Sequence, residues 1–235
     1  MKRKFIIAFL LFNTLLYSGC EMSNLNNTKS PTKLTTSNIK QLVGITYSDV
    51  EKIYGSPEMS TYYINIKDLS CINKDYISLR DFNHYSIIKA YYNINNNDSY
   101  VILWYKNNKV INSSFDENDI INKDYLDENI NNFDIKIDYN KNSSYLNKSL
   151  TSEKYKYYIG RNIKQFNNKY NLLCPKIIVN LLNDNKVLYF YDIKDKNNEY
   201  INNNSLFVIC NNNIITEINI IKSAKICETI IDYFK

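Results

Sequence analysis

The chain has 235 residues, 44% of them hydrophobic and 23% charged, with a formal charge of +5. That supplies apolar surface for one domain of moderate size or two small ones. Three of the positive residues, Lys2, Arg3 and Lys4, fall in an N-terminal segment expected to be removed; the +2 that remains forms no basic stripe and argues against nucleic-acid binding.

The first segment reads MKRKFIIAFLLFNTLLYSGC. Lys2 to Lys4 are a positive n-region, and Phe5 to Leu16 are an apolar run interrupted only by Asn13 and Thr14. The run is shorter than the roughly 20 residues a spanning helix needs. It reads as a signal peptide over residues 1–19. The ending Ser18-Gly19-Cys20 resembles a bacterial lipobox, with Tyr17 where leucine is usual. That resemblance implies cleavage after Gly19 and a diacylglyceryl group on the Cys20 thiol, and two acyl chains anchor stably where one is marginal. Glu21 in place of Asp implies the outer membrane, facing the periplasm. Residues 20–38 are polar, without apolar period, and read as an acylated N-terminus and flexible tether.

The chain has only four glycines, and two of them bracket GITYSDVEKIYGSP. Thr46 is an N-cap type with Asp49 three residues on, and Ile45 and Val50 are spaced as a hydrophobic staple. Val50, Ile53 and Tyr54 share one helical face. Gly55 is expected to end the helix in the left-handed conformation, and Pro57 blocks continuation. Gly44 sits at the turn into it. TYYINI, HYSIIKAYYNI and YVILWY follow with strand composition, the last opening a hairpin through KNNK into VINSSF. These elements make a first unit over residues 39–118, and residues 119–154 read as a linker.

A second unit spans residues 155–235 and repeats the first. With Gly160 set on Gly44, Asn162 falls on Thr46, Gln165 on Asp49, Phe166 on Val50, Tyr170 on Tyr54 and Asn171 on Gly55, and Pro175 follows as Pro57 does. KVLYFYDI and a hairpin through CNNN come next. SAKICETIIDYF then predicts a further helix with Ile226, Ile230 and Tyr233 near one face. The fold class expected is α+β: two tandem α-β-β units, short helices packed on a curved, mainly antiparallel sheet.

The Gly44–Pro57 stretch, preceded by a lipobox and a short tether, resembles the SmpA/OmlA family of BamE-like outer-membrane lipoproteins. Its tandem arrangement is similar to the β-lactamase inhibitor protein (BLIP) superfamily. The first resemblance implies a role in outer-membrane assembly; the second implies capping of a hydrolase.

Enzyme signals are sparse. His84 is the sole histidine, and nothing in its spacing pairs it with a nucleophile. No phosphate loop, serine elbow or His-bearing metal motif occurs. The acidic run Asp116 to Asn129 lacks the spacing of a calcium loop and reads as a solvated segment. Export permits disulfides among Cys71, Cys174, Cys210 and Cys227, and three of these lie in the second unit, where one local bridge is expected. The 22 tyrosines suit an interface, although alternation in strands assigns about half of them to the core. The expected function is therefore a membrane-anchored, non-enzymatic bacterial lipoprotein without cofactor or metal, whose domain binds a protein partner in envelope assembly or maintenance. The alternative is a lipoprotein inhibitor of a hydrolase, and a thiol enzyme ranks last.

Overall fold

Alternating apolar and polar residues over short spans make strands here, and Asn-Asn pairs turn them. The computed structural model describes residues 36–71, 86–93, 100–115, 130–147, 152–194 and 200–234. The strands are β1 (Met59–Ile64), β2 (Ser86–Asn93), β3 (Tyr100–Lys106), β4 (Lys109–Ser114), β5 (Ile135–Asn140), β6 (Tyr145–Asn147), β7 (Ile177–Leu181), β8 (Lys186–Lys194), β9 (Tyr200–Asn211) and β10 (Ile214–Lys222). The helices are α1 (Thr36–Ile39), α2 (Tyr47–Tyr54), α3 (Ser152–Lys156), α4 (Ile163–Tyr170) and α5 (Ile226–Tyr233).

All ten strands belong to one sheet, in the order β10-β9-β8-β7-β5-β1-β2-β3-β4, with β6 lying parallel beside the end of β8. This corrects the expected fold class. The molecule is dominated by its sheet, with few short helices, rather than a balanced α+β fold. Each half contributes a four-strand meander, β1 to β4 and β7 to β10, rather than an α-β-β unit. Two longer strands were not expected: IIVNL, now β7, and IKIDYN, now β5, which joins the meanders at the middle of the sheet. The β5 residues lie within the stretch read as a linker.

The side chains of alternate residues divide between two faces. On one, here the core face, Tyr62, Ile88, Leu103, Ile137, Val179, Leu188 and Phe207 form a single cluster across both halves. Helix α2 closes it over the first half through Tyr47 and Val50, and α5 closes it over the second through Ile226, Cys227, Ile230 and Ile231. On the opposite face, Tyr191, Leu206, Val208 and Cys210 of the second half pack under α3 and α4 through Tyr155, Ile163 and Phe166. Equivalent helices α2 and α4 thus lie on opposite faces, as an axis running along β5 requires.

The two halves also match bond for bond at their outer edges. Gly44 N–H donates to Val110 C=O, Val110 N–H to Ile45 C=O, and Tyr47 N–H to Asn108 C=O. In the second half Gly160 N–H donates to Ile215 C=O, Ile215 N–H to Arg161 C=O, and Ile163 N–H to Asn213 C=O. The turns they address carry Asn107 and Asn108 at φ 50° and 64°, and Asn212 and Asn213 at the same values. Positive φ at both central residues gives the hairpin turn whose twist matches the strands, and asparagine tolerates it.

The helix ends follow the sequence with one difference. Thr46 Oγ1 accepts from Asp49 N–H at 3.2 Å and donates to its carboxylate at 2.6 Å. Asn162 Oδ1 accepts from Lys164 N–H, one position earlier than in the first unit. Asn171 is left-handed at φ 54°, ψ 43°, whereas Gly55 has φ 80° but ψ −177°. Gly55 therefore leaves the helix in an extended conformation open to glycine alone, not in the left-handed one expected. The cause lies beyond the helix: Pro57 is buried and Glu58 N–H donates to Tyr91 C=O, so the chain must run straight into β1.

Candidate binding face

On the face opposite the core, the central strands present side chains that belong to neither helix-closed cluster. β1 contributes Met59, Thr61 and Tyr63, β5 contributes Lys136, Asp138 and Asn140, and β7 contributes Ile178 and Asn180. The register places Thr61 beside Asp138, Tyr63 beside Lys136, and Asp138 beside Ile178. β5 shows the division most plainly, with Ile135 and Ile137 fully buried on the core side and three polar residues on the other.

The band is electrostatically self-contained. Asp138 accepts from Thr61 Oγ1 at 2.8 Å through one oxygen and pairs with Lys136 Nζ at 3.1 Å through the other. Asn140 Nδ2 donates to Pro175 C=O at 3.1 Å. Towards β3, the Lys89 ammonium lies 5.1 Å from the Tyr91 ring and 5.2 Å from the Trp104 ring, in the range of cation–π attraction. Tyr100 meets Tyr91 edge-on at 6.3 Å and donates to Glu58. Ile87, Ile102 and Trp104 form a small cluster there with Ile130 and Phe133. The result is a half-buried surface of hydroxyls, amides and ring edges. Asp138 is occupied on both oxygens.

The tyrosines divide as alternation requires. Tyr62, Tyr92 and Tyr105 point into the core, where Tyr92 and Tyr105 share a hydroxyl–hydroxyl hydrogen bond of 3.0 Å, and burial pushes both phenols well above their usual range. Their neighbours Tyr63 and Tyr91 face the band. No disulfide joins Cys174, Cys210 or Cys227, which corrects the bridge expected in the second unit. Cys210 and Cys227 are buried on opposite faces of the sheet, Cys210 under α4 and Cys227 on α5, so their geometry forbids pairing. Burial pushes the Cys210 thiol up to about 12 and raises that of half-exposed Cys174 as well. Buried Cys210 and Cys227 pack as small hydrophobes.

Gly19, Cys20, His84 and the acidic run from Asp116 lie outside the described residues, as does the side chain of Cys71. Gly44, Thr46, Gly55, Pro57, Gly160, Asn162 and Asn171 are at helix ends and edge contacts, away from the band. Lys136 and Asp138 were not singled out from the sequence; the strict alternation of IKIDYN is the signal that marks them. Comparison with known proteins finds no family model, curated protein or solved structure that matches the chain.

Proposed function

We propose that the chain is a membrane-anchored bacterial lipoprotein that binds a protein partner in the cell envelope, in outer-membrane assembly or maintenance. The Ser18-Gly19-Cys20 ending and the polar stretch before Thr36 support the anchor. The binding role rests on one observation: a tyrosine-bordered, charge-balanced band on β1, β5 and β7 whose side chains belong to neither of the clusters closed by α2, α3, α4 and α5. Such amphipathic surfaces suit protein interfaces better than polyanions or small charged substrates. The SmpA/OmlA resemblance of Gly44 to Pro57 is in keeping with it.

A photoreactive amino acid at Tyr63 or Ile178, tested in intact envelopes, is expected to yield one discrete cross-linked partner. The same probe at Glu217, exposed on the core-side row of β10, is expected to yield none. Equal labelling from all three positions would refute the band as the interface. Capture of a hydrolase there would turn the reading towards an inhibitor. Palmitate labelling tests the anchor separately: Cys20→Ser is expected to abolish it, and unchanged labelling rules the anchor out.

A further inference from the structure

β1 and β7 both run antiparallel to β5, so the β3–β4 and β9–β10 turns lie at the same end of the sheet. That end has an uneven share of the apolar surface. Of the nine large hydrophobic side chains exposed among the described residues, six are there: Val43, Ile66, Tyr157, Ile159, Leu182 and Ile214. Their positions are fixed by backbone bonds. Asp134 accepts from Ile66 N–H through its carboxylate and from Leu182 N–H through its carbonyl, tying the ends of β1 and β7 together. The Gly44 and Gly160 contacts hold Val43 and Ile159 at equivalent corners on opposite edges.

Basic residues accompany them. Lys40 and Lys109 are exposed beside Val43, and Lys156, Arg161 and Lys164 are exposed around Ile159. The Arg161 guanidinium stacks 3.7 Å from the exposed Tyr157 ring. Among the described residues here, Asp49 is engaged by Thr46 and Lys52, Asp184 by Lys186 and Asp134 by Ile66, while Asp68 is half-buried. The first described residue, Thr36, lies eight positions before Gly44, so the chain enters the fold beside this end.

We propose that this end of the sheet rests on an anionic phospholipid surface, with the apolar residues at the headgroup boundary and the basic residues over lipid phosphates. Both components of interfacial binding are present, apolar area and positive charge, in a domain proposed above to be tethered to a membrane. A bilayer is favoured over an acidic protein because the apolar residues are spread over five separate chain segments, around Val43, Ile66, Tyr157 with Ile159, Leu182 and Ile214, bordering this end rather than forming one patch.

The chain from residue 20 onward with Cys20→Ser keeps every described residue and carries no acyl group. Acyl labelling therefore tests the anchor, and vesicle binding by this chain tests the surface. It is expected to sediment with vesicles containing phosphatidylserine, weakly or not at all with phosphatidylcholine vesicles, and less at high salt. Lys156→Glu and Arg161→Glu should each lower partitioning at least about fivefold, and Val43→Ser with Ile159→Ser should lower it further. Leu173→Ser and Lys169→Glu, towards the other end, should leave it unchanged. Equal binding to both vesicle types, no binding, or an equal loss from the two sets of variants would overturn the proposal.

Discussion

Substitution of Gly55 separates two conformations that share a positive φ. At φ 80° and ψ −177° the residue lies where only glycine is at ease. An ideal Cβ placed there meets no atom within 4 Å, so the cost of a side chain is conformational and not steric with its surroundings. Gly55→Asn and Gly55→Ala should therefore both destabilise by about 1–3 kcal/mol. Asparagine gives no relief, because its tolerance applies to the left-handed region that Asn171 occupies at φ 54°, ψ 43°. Asn171→Gly keeps that conformation accessible and should change stability by no more than about 1 kcal/mol, the larger freedom of the unfolded chain opposing the relief of strain. For a domain of this size each kcal/mol moves the midpoint by roughly 2–4 °C. Urea and thermal unfolding of the chain from residue 20, with Cys20→Ser, measures the set. If Gly55→Asn proves as mild as Asn171→Gly, the extended exit from α2 is wrong.

Three further outcomes are expected. Phe166, fully buried among Tyr158, Tyr170 and Tyr191, should cost about 3–5 kcal/mol when changed to Ala, read by urea unfolding. At the β9–β10 turn, Asn213→Gly should be neutral or stabilising while Asn213→Val should cost at least about 1–2 kcal/mol, because φ there is 64°. Alkaline pH should destabilise the fold: burial raises the Cys210 thiol and the Tyr155 phenol each to about 12, above their unfolded values. The unfolded chain then loses protons first, so stability is full below about pH 8.5 and declines as pH rises towards 12. Cys210→Ala should make the decline shallower at its onset in pH-dependent unfolding curves, the raised Cys174 thiol accounting for what remains below the tyrosine range.

The sequence was most readable where local chemistry decides structure. The caps at Thr46 and Asn162, the helix at Ile226, and the Asn-Asn turns all depend on residues within a few positions. The Gly44 and Gly160 correspondence was visible because few glycines compete with it. β5 was missed because six alternating residues sit between stretches rich in Asn and Asp, and short strands gain their stability from neighbours not adjacent in the chain. The ψ of Gly55 is likewise set at a distance, by the bond from Glu58 to Tyr91. The band itself could not be located without knowing which face each helix takes, and equivalent amphipathic helices carry no mark of that choice.

The position of β5 bears on how the chain can be divided. A fragment stopping after β4 leaves β1 as an edge, exposing the backbone of Met59–Ile64, a run of strand formers with no charge. A fragment beginning after β6 does the same to β7. Unpaired edges of that kind recruit other chains. A cut between Asn147 and Ser152 leaves β5 with the first fragment and gives the second the α3–Gly160 segment that pairs with Ile215. Two such pieces carry complementary edges, β5 on one and β7 on the other, with five backbone register positions from Ile135–Leu181 to Tyr139–Ile177 to rejoin them. Co-expressed halves divided there should reassemble, and halves divided between β4 and β5 carry the complementary edges β1 and β5, with six register positions from Met59–Asn140 to Ile64–Ile135, to do the same.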